Sequence, residues 1–172
     1  CASQYVTYTG LTWVAQGTLI YSNAYLFAAD ITNDARVVLS PVAAGQDFGT
    51  RRLSGPGTWV KAGASSLVLR GTNSFTGEFV ISNSYLDVYG NGSLSSNAVV
   101  TIESPQGLVI YQGSTNYISA LRGQSTAALI HGNSANVTGR LVSTTSGTET
   151  FNGRVFQNAG PILVEMIGSG TQ

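Results

Sequence analysis

The sequence predicts an all-β solenoid of roughly seven to eight coils, and three observations predict it. Short hydrophobic runs recur at strand spacing and stop at Gly, Asn, Ser or Pro. Blocks of sequence return at intervals that match one coil or a small multiple of it. Charged residues make up 9% of the 172 residues, and 21 glycines with many Ser, Thr and Asn take their place. An average globular chain carries about 25% charge, so this surface is polar yet uncharged.

In order, the first runs cover residues 17–21, 25–31 and 36–40, where Val, Ile, Leu, Tyr and Phe crowd between turn formers. Residues 66–70, 78–82, 85–89, 98–102 and 108–111 follow, then 127–131, 140–143 and 161–167. No stretch between the breakers supplies the three turns of amphipathic helix that Ala, Leu, Glu and Lys would build. Along Tyr85-Leu86-Asp87-Val88-Tyr89 the alternation is strict. With Leu86 and Val88 inward, Tyr85, Asp87 and Tyr89 share the outer face. Gly90-Asn91-Gly92 then turns the corner, because Gly and Asn tolerate positive φ.

Many short strands suit a sandwich, a barrel or a solenoid, and internal repetition decides among them. Gly71-Thr72-Asn73-Ser74-Phe75-Thr76-Gly77 returns as Gly147-Thr148-Glu149-Thr150-Phe151-Asn152-Gly153, displaced by 76. Gly-Thr recurs at Gly170-Thr171, 23 further on, and Thr12-Trp13-Val14 returns as Thr58-Trp59-Val60, displaced by 46. These intervals fit coils of roughly 20 to 25 residues. Coils stacked at about 4.8 Å pair their backbone along the axis and set like residues above one another.

Eight basic and eight acidic residues cancel, and the arginines are scattered, so the chain has no electrostatic footprint for nucleic acid. At 42% hydrophobic it has the aliphatic content to fold. The one cysteine, Cys1, leaves no internal disulfide and suits a chain that crosses an oxidising compartment unfolded. Cys1-Ala2-Ser3 reads either as an ordinary start or as the lipid-bearing start of a lipoprotein. Residues 1–172 read as a single solenoid fragment of a larger protein, with 41–56 a loop excursion. Arg51 and Arg52 in that excursion are candidates for loop processing or docking, beside the plainer reading of a solvated loop.

Gly57-Thr58-Trp59-Val60-Lys61-Ala62-Gly63, then Ser66-Leu67-Val68-Leu69-Arg70-Gly71-Thr72-Asn73-Ser74-Phe75-Thr76-Gly77, then Phe79-Val80-Ile81 carry a family resemblance. They resemble the autotransporter-associated β-strand repeat, G-T-L-x-K-x-G-x-G-x-L-x-L-x-G-x-N-x-Y-x-G followed by a strand. The resemblance covers about residues 54 to 172, and the chain departs from the pattern at Trp59, Ser65 and Phe75. It implies a right-handed parallel β-helix exported through a C-terminal outer-membrane barrel of the same polypeptide and displayed on a bacterial cell surface. Passengers of this kind serve in adhesion, self-association or binding of a host surface protein or glycan. Others act as stalks or as autochaperones that template folding during secretion.

β-helix lyases and glycosidases gather carboxylates on one outer face, whereas four Asp and four Glu are spread here from Asp30 to Glu165. The single His131 ends a strand and reads as solvent-facing or at a coil corner, not as a catalytic base. Neither a metal-ligand cluster nor a phosphate loop occurs in the sequence. The chain is therefore expected to be no enzyme and to need no cofactor, with a polysaccharide-degrading β-helix or phage tailspike fragment as the remote alternative. Tyr85, Asp87 and Tyr89 form the candidate recognition surface, extended by Tyr21, Tyr25, Tyr111 or Tyr117 if these lie on neighbouring coils. Ordinary strand-favouring tyrosine is the competing reading.

Overall fold

The turn formers that close most of the hydrophobic runs also close a strand in the structure, a computed structural model that describes residues 9–22, 29–43, 45–91, 93–111, 113–133, 138–157 and 160–171, so that most of the run 25–31 lies outside the described residues. Chain order gives β1 Thr12–Val14, β2 Thr18–Tyr21, β3 Ile31–Asn33, β4 Arg36–Leu39, β5 Gln46–Asp47 and β6 Leu53–Gly55. Next come β7 Thr58–Lys61, β8 Leu67–Leu69, β9 Ser74–Phe75, β10 Glu78–Ile81, β11 Tyr85–Val88 and β12 Val99–Ile102. β13 Gly107–Ile110, β14 Thr115–Ile118, β15 Ala120–Arg122, β16 Leu129–Gly132, β17 Gly139–Ser143, β18 Arg154–Gln157 and β19 Ile162–Met166 complete the series. No helix occurs among the described residues.

Strands β2, β4, β7, β10, β12 and β15 form one six-stranded sheet, and β5, β8, β11, β13, β16 and β18 form a second. The remaining wall is built by β1-β3-β6-β9 and by β14-β17-β19. All pairings between these strands are parallel, joining residues from 18 apart, Thr18 with Arg36, to 25 apart, Asn116 with Leu141. That separation is one coil, so the chain is a parallel β-solenoid. It has about six turns, matching the two six-stranded sheets, and not the expected seven to eight. Residues 144–153 explain the shortfall in part: they add no strand to the first sheet, only a bridge from Phe151 to Gly123.

Coil length agrees with the repeat intervals, yet the repeats themselves do not superpose. Trp13 lies in β1 and is exposed, whereas Trp59 lies in β7 of a different sheet and is fully buried. Phe75 in β9 pairs with Gly55, while Phe151 meets Gly123 beside β15. Every wall of a coil asks for the same short strand between turn formers, so local likeness does not mark the wall. Two strands within the expected 41–56 excursion belong to the coil: β5 pairs with β8, and β6 with β3 and β9.

Register builds the interior. Leu19, Val37, Trp59, Phe79, Val100 and Leu121 stack in one column. Leu67, Leu86, Leu108 and Ile130 stack in another. Phe75 bridges the Trp59 and Phe79 rings at 6.1 and 5.5 Å between centroids. Where the third wall lacks a strand, asparagine side chains hold successive coils: Asn73 Nδ2 donates to Ser93 O at 2.6 Å, and Leu94 N donates to Asn116 Oδ1 at 2.9 Å. The motif glycines have a packing reason, since a Cβ on Gly77 would lie 2.2 Å from the carbonyl oxygen of Gly57 one coil below.

Lys61 is the one charged side chain among the largest fully buried ones. Its stem fills the interior column beside Leu39 and Ile81, and its Nζ turns into the corner. There it donates to the carbonyls of Ala62 at 2.9 Å, Gly63 at 3.1 Å and Asn83 at 2.7 Å. Burial pulls its pKa down to about 8, partly offset by Asp87.

Candidate recognition surface

The second six-stranded sheet carries the residues that alternation singled out. Leu86 and Val88 are fully buried, and Tyr85 and Tyr89 lie half-buried on the outer side. Register places Asp47, Val68, Asp87, Val109, His131 and Phe156 in one outer column. Arg70, Tyr89, Tyr111 and Asn133 form a second column beside it, each following a residue paired from coil to coil.

This second column is a continuous row of contacts. Tyr89 and Tyr111 stack with centroids 3.9 Å apart and planes 14° from parallel. The Arg70 guanidinium lies 4.2 Å over the Tyr89 ring while it pairs with the Asp47 carboxylate. Asn133 Nδ2 donates to Tyr111 Oη at 2.6 Å. Asp47 holds the Arg70 guanidinium above its ordinary pKa. Burial, with the hydrogen bond to Tyr111, pushes the Tyr89 hydroxyl up to about 12. The row thus presents two stacked phenols, one amide and one internally matched ion pair.

Tyr85 turns the other way. Its partner in register is Gly107, which has no side chain, so the ring leans across and meets His131 edge-on at 5.6 Å and 87°. His131 in turn touches Phe156, with centroids 5.4 Å apart. His131 is consequently 5% exposed, which corrects the reading of a solvent-facing or corner histidine. Burial lowers its pKa against the opposing backbone hydrogen bond at Gly132, and its Nδ1 has no hydrogen-bond partner. Asp87 is likewise buried; desolvation pushes its carboxyl up to about 6 against the opposing effects of Ser66 and Lys61. It supports the surface from beneath and is no free acceptor on it.

Of the other tyrosines, Tyr111 joins the row. Tyr21 lies in β2 of the other six-stranded sheet, Tyr117 lies in β14 of the three-stranded sheet, and Tyr25 falls outside the described residues. Arg51 and Arg52 sit between β5 and β6 in a hydrogen-bonded bend. Arg51 Nη1 donates to Phe48 O at 3.3 Å, and Arg52 N donates to Asp30 Oδ1 at 2.9 Å. Arg52 O accepts from Ile31 N at 3.0 Å, so the backbone at the dibasic pair is part of the ladder. Arg70 and Asn133 were missed from the sequence; the signal was there, since Arg70, Tyr89, Tyr111 and Asn133 lie 19, 22 and 22 residues apart.

Among the described residues no group of three or more His, Cys, Asp or Glu is placed to hold a metal ion. Comparison of the chain with protein-family models, with curated proteins and with solved structures finds no match.

Proposed function

We propose that this chain is a segment of a bacterial cell-surface passenger, a right-handed β-helix that joins cells or host surfaces through its tyrosine-bearing face. The observation that carries the proposal is the row of Asp47, Arg70, Tyr89, Tyr111 and Asn133. Tyr and Arg are the residue types that dominate binding interfaces, and stacked phenols offer flat area at low entropic cost. With its charges matched and a formal net charge of zero, the face meets an identical rod with little repulsion. A host protein or a glycan is served by the same rings. The repeat from Gly57 to Ile81 supports export as an autotransporter passenger, through a barrel of the same polypeptide.

A bacterium displaying the chain should clump, and Tyr89→Glu with Tyr111→Glu should abolish clumping at unchanged surface amount. Clumping that survives a charge placed on every outer face would sink the proposal. A second reading, a folding template and spacer, is favoured by the uniformly parallel coil-to-coil pairing, since each folded coil offers an edge to the next. Deleting the segment would then lower the amount of passenger displayed while activity per displayed molecule persists.

A further inference from the structure

The outer side of the other six-stranded sheet holds a cleft of about 330 Å³, walled largely by the stems of polar and charged side chains. Glu78 of β10 lines it, with Thr101 and Glu103 from the next coil and Arg122, Gln124 and Ser125 from the coil after that. Thr101 pairs with Arg122 in register, so coil stacking alone assembles these groups from distant stretches of sequence.

The hydrogen bonds within the cleft show which groups are already matched. Arg122 forks onto Glu149, Nε to Oε2 at 2.6 Å and Nη2 to Oε1 at 2.8 Å, so its charge is met. Thr101 Oγ1 donates to one oxygen of Glu78. Gln124 Oε1 accepts from Asn152 at 3.2 Å, which leaves the Gln124 NH₂ to donate outward. Ser125 Oγ accepts from Ala127 N at 3.3 Å, which leaves its O–H to donate. Among the described residues the Glu103 carboxylate has no ion pair or side-chain hydrogen bond, and Glu78 keeps a second oxygen free. Glu78 also lies in the field of the Arg122 guanidinium, so the open acceptors are the exposed Glu103 carboxylate and one Glu78 oxygen, beside two neutral donors.

The volume is at the small end of the range for ligand sites, about 300 to 1,000 Å³, and suits one ring-sized unit. An anion would meet two carboxylates. A neutral sugar would find no aromatic platform among the lining residues and would cover both carboxylates without matching their charge, which is costly. We infer that this cleft binds a monosaccharide-sized ligand with a primary ammonium beside hydroxyl groups, an amino sugar in its free-amine form. The ammonium lies between Glu78 and Glu103, and the hydroxyls accept from Gln124 and Ser125. This site is separate from the tyrosine-bearing face and does not depend on the function proposed for it.

The test is a ¹⁵N-labelled NMR titration of the full chain with glucosamine, N-acetylglucosamine and lysine amide. Glucosamine should give saturable shifts at the amides of Gly123, Gln124 and Ser125. N-acetylglucosamine should bind about tenfold or more weakly, since it keeps the hydroxyls and loses the charge. Glu103→Gln, at an exposed position, should weaken glucosamine by a similar factor while the rest of the spectrum stays in place, and Tyr111→Glu should leave it unchanged. Absence of saturable shifts with glucosamine overturns the inference. Equal binding of the N-acetyl sugar overturns it in favour of a neutral saccharide, and equal or tighter binding of lysine amide overturns it in favour of a basic peptide.

Discussion

Replacing Asn73 with Ala should cut the bond between three successive coils. Asn73 is buried; its Oδ1 accepts from Leu53 N at 2.8 Å, and its Nδ2 donates to Ser93 O at 2.6 Å and to Gly71 O at 3.3 Å. Leu53 is fully buried, so its amide has no water to turn to once the Asn73 oxygen is gone. Each buried group left unmatched costs about 1 to 3 kcal/mol, and with Leu53 N and Ser93 O both affected the expected loss is about 2 to 4 kcal/mol. Urea unfolding reads the loss as a lower midpoint at constant slope, and amide exchange at Leu53 should accelerate. Asn73→Leu fills the volume without restoring either bond, so it should not rescue. A cost below about 0.5 kcal/mol for Asn73→Ala, with Leu53 protection unchanged, or full rescue by Leu, would refute the reasoning.

Three further outcomes follow from the packing. Because burial pushes Asp87 up to about 6 from 3.8, the folded chain holds a proton that the unfolded chain releases, and this group withdraws stability as pH rises from about 4 to 7. Asp87→Asn should therefore gain about 2 kcal/mol on the wild type at pH 7.5, after allowance for screening, with the difference fading by pH 4. A difference that stays constant across urea titrations at these pH values contradicts it. Gly77→Ala drives a Cβ to 2.2 Å from Gly57 O and should cost about 3 kcal/mol, whereas Gly147→Ala meets nothing within 4 Å and should leave the melting temperature in place. Trp59 is fully buried with its Nε1 unpartnered, so Trp59→Phe should cost under about 1.5 kcal/mol and Trp59→Ala about 3 to 5, by the same unfolding assay.

Long hydrophobic runs were legible because they carry a period: residues 36–40, 78–82, 85–89 and 98–102 become β4, β10, β11 and β12, and Leu86 and Val88 of β11 face inward as the alternation predicts. Strands of two or three residues, such as β5, β6 and β9, are too short to show a period, which is why 41–56 read as a loop. β14 and β18 escaped notice because Thr115-Asn116-Tyr117-Ile118 and Arg154-Val155-Phe156-Gln157 mix polar and apolar residues beside turn formers. The tyrosine face was half visible, since alternation gave Tyr85, Asp87 and Tyr89. Only the coil register brings Arg70, Tyr111 and Asn133 to Tyr89, or sends Tyr85 across Gly107 to bury His131. The same register places Glu78 and Glu103 on one cleft although 25 residues separate them, so spacing along the chain was a poor guide to how carboxylates meet.

Sedimentation velocity of the purified chain against its Tyr111→Glu variant tests the proposed role of the tyrosine face most directly. The account predicts that the wild type shifts to larger species as concentration rises, and that the variant, folded by the same far-UV spectrum, stays monomeric. A wild type that remains monomeric at every concentration, even with host glycans or cell-surface extract added, or a variant that associates as strongly, would contradict it.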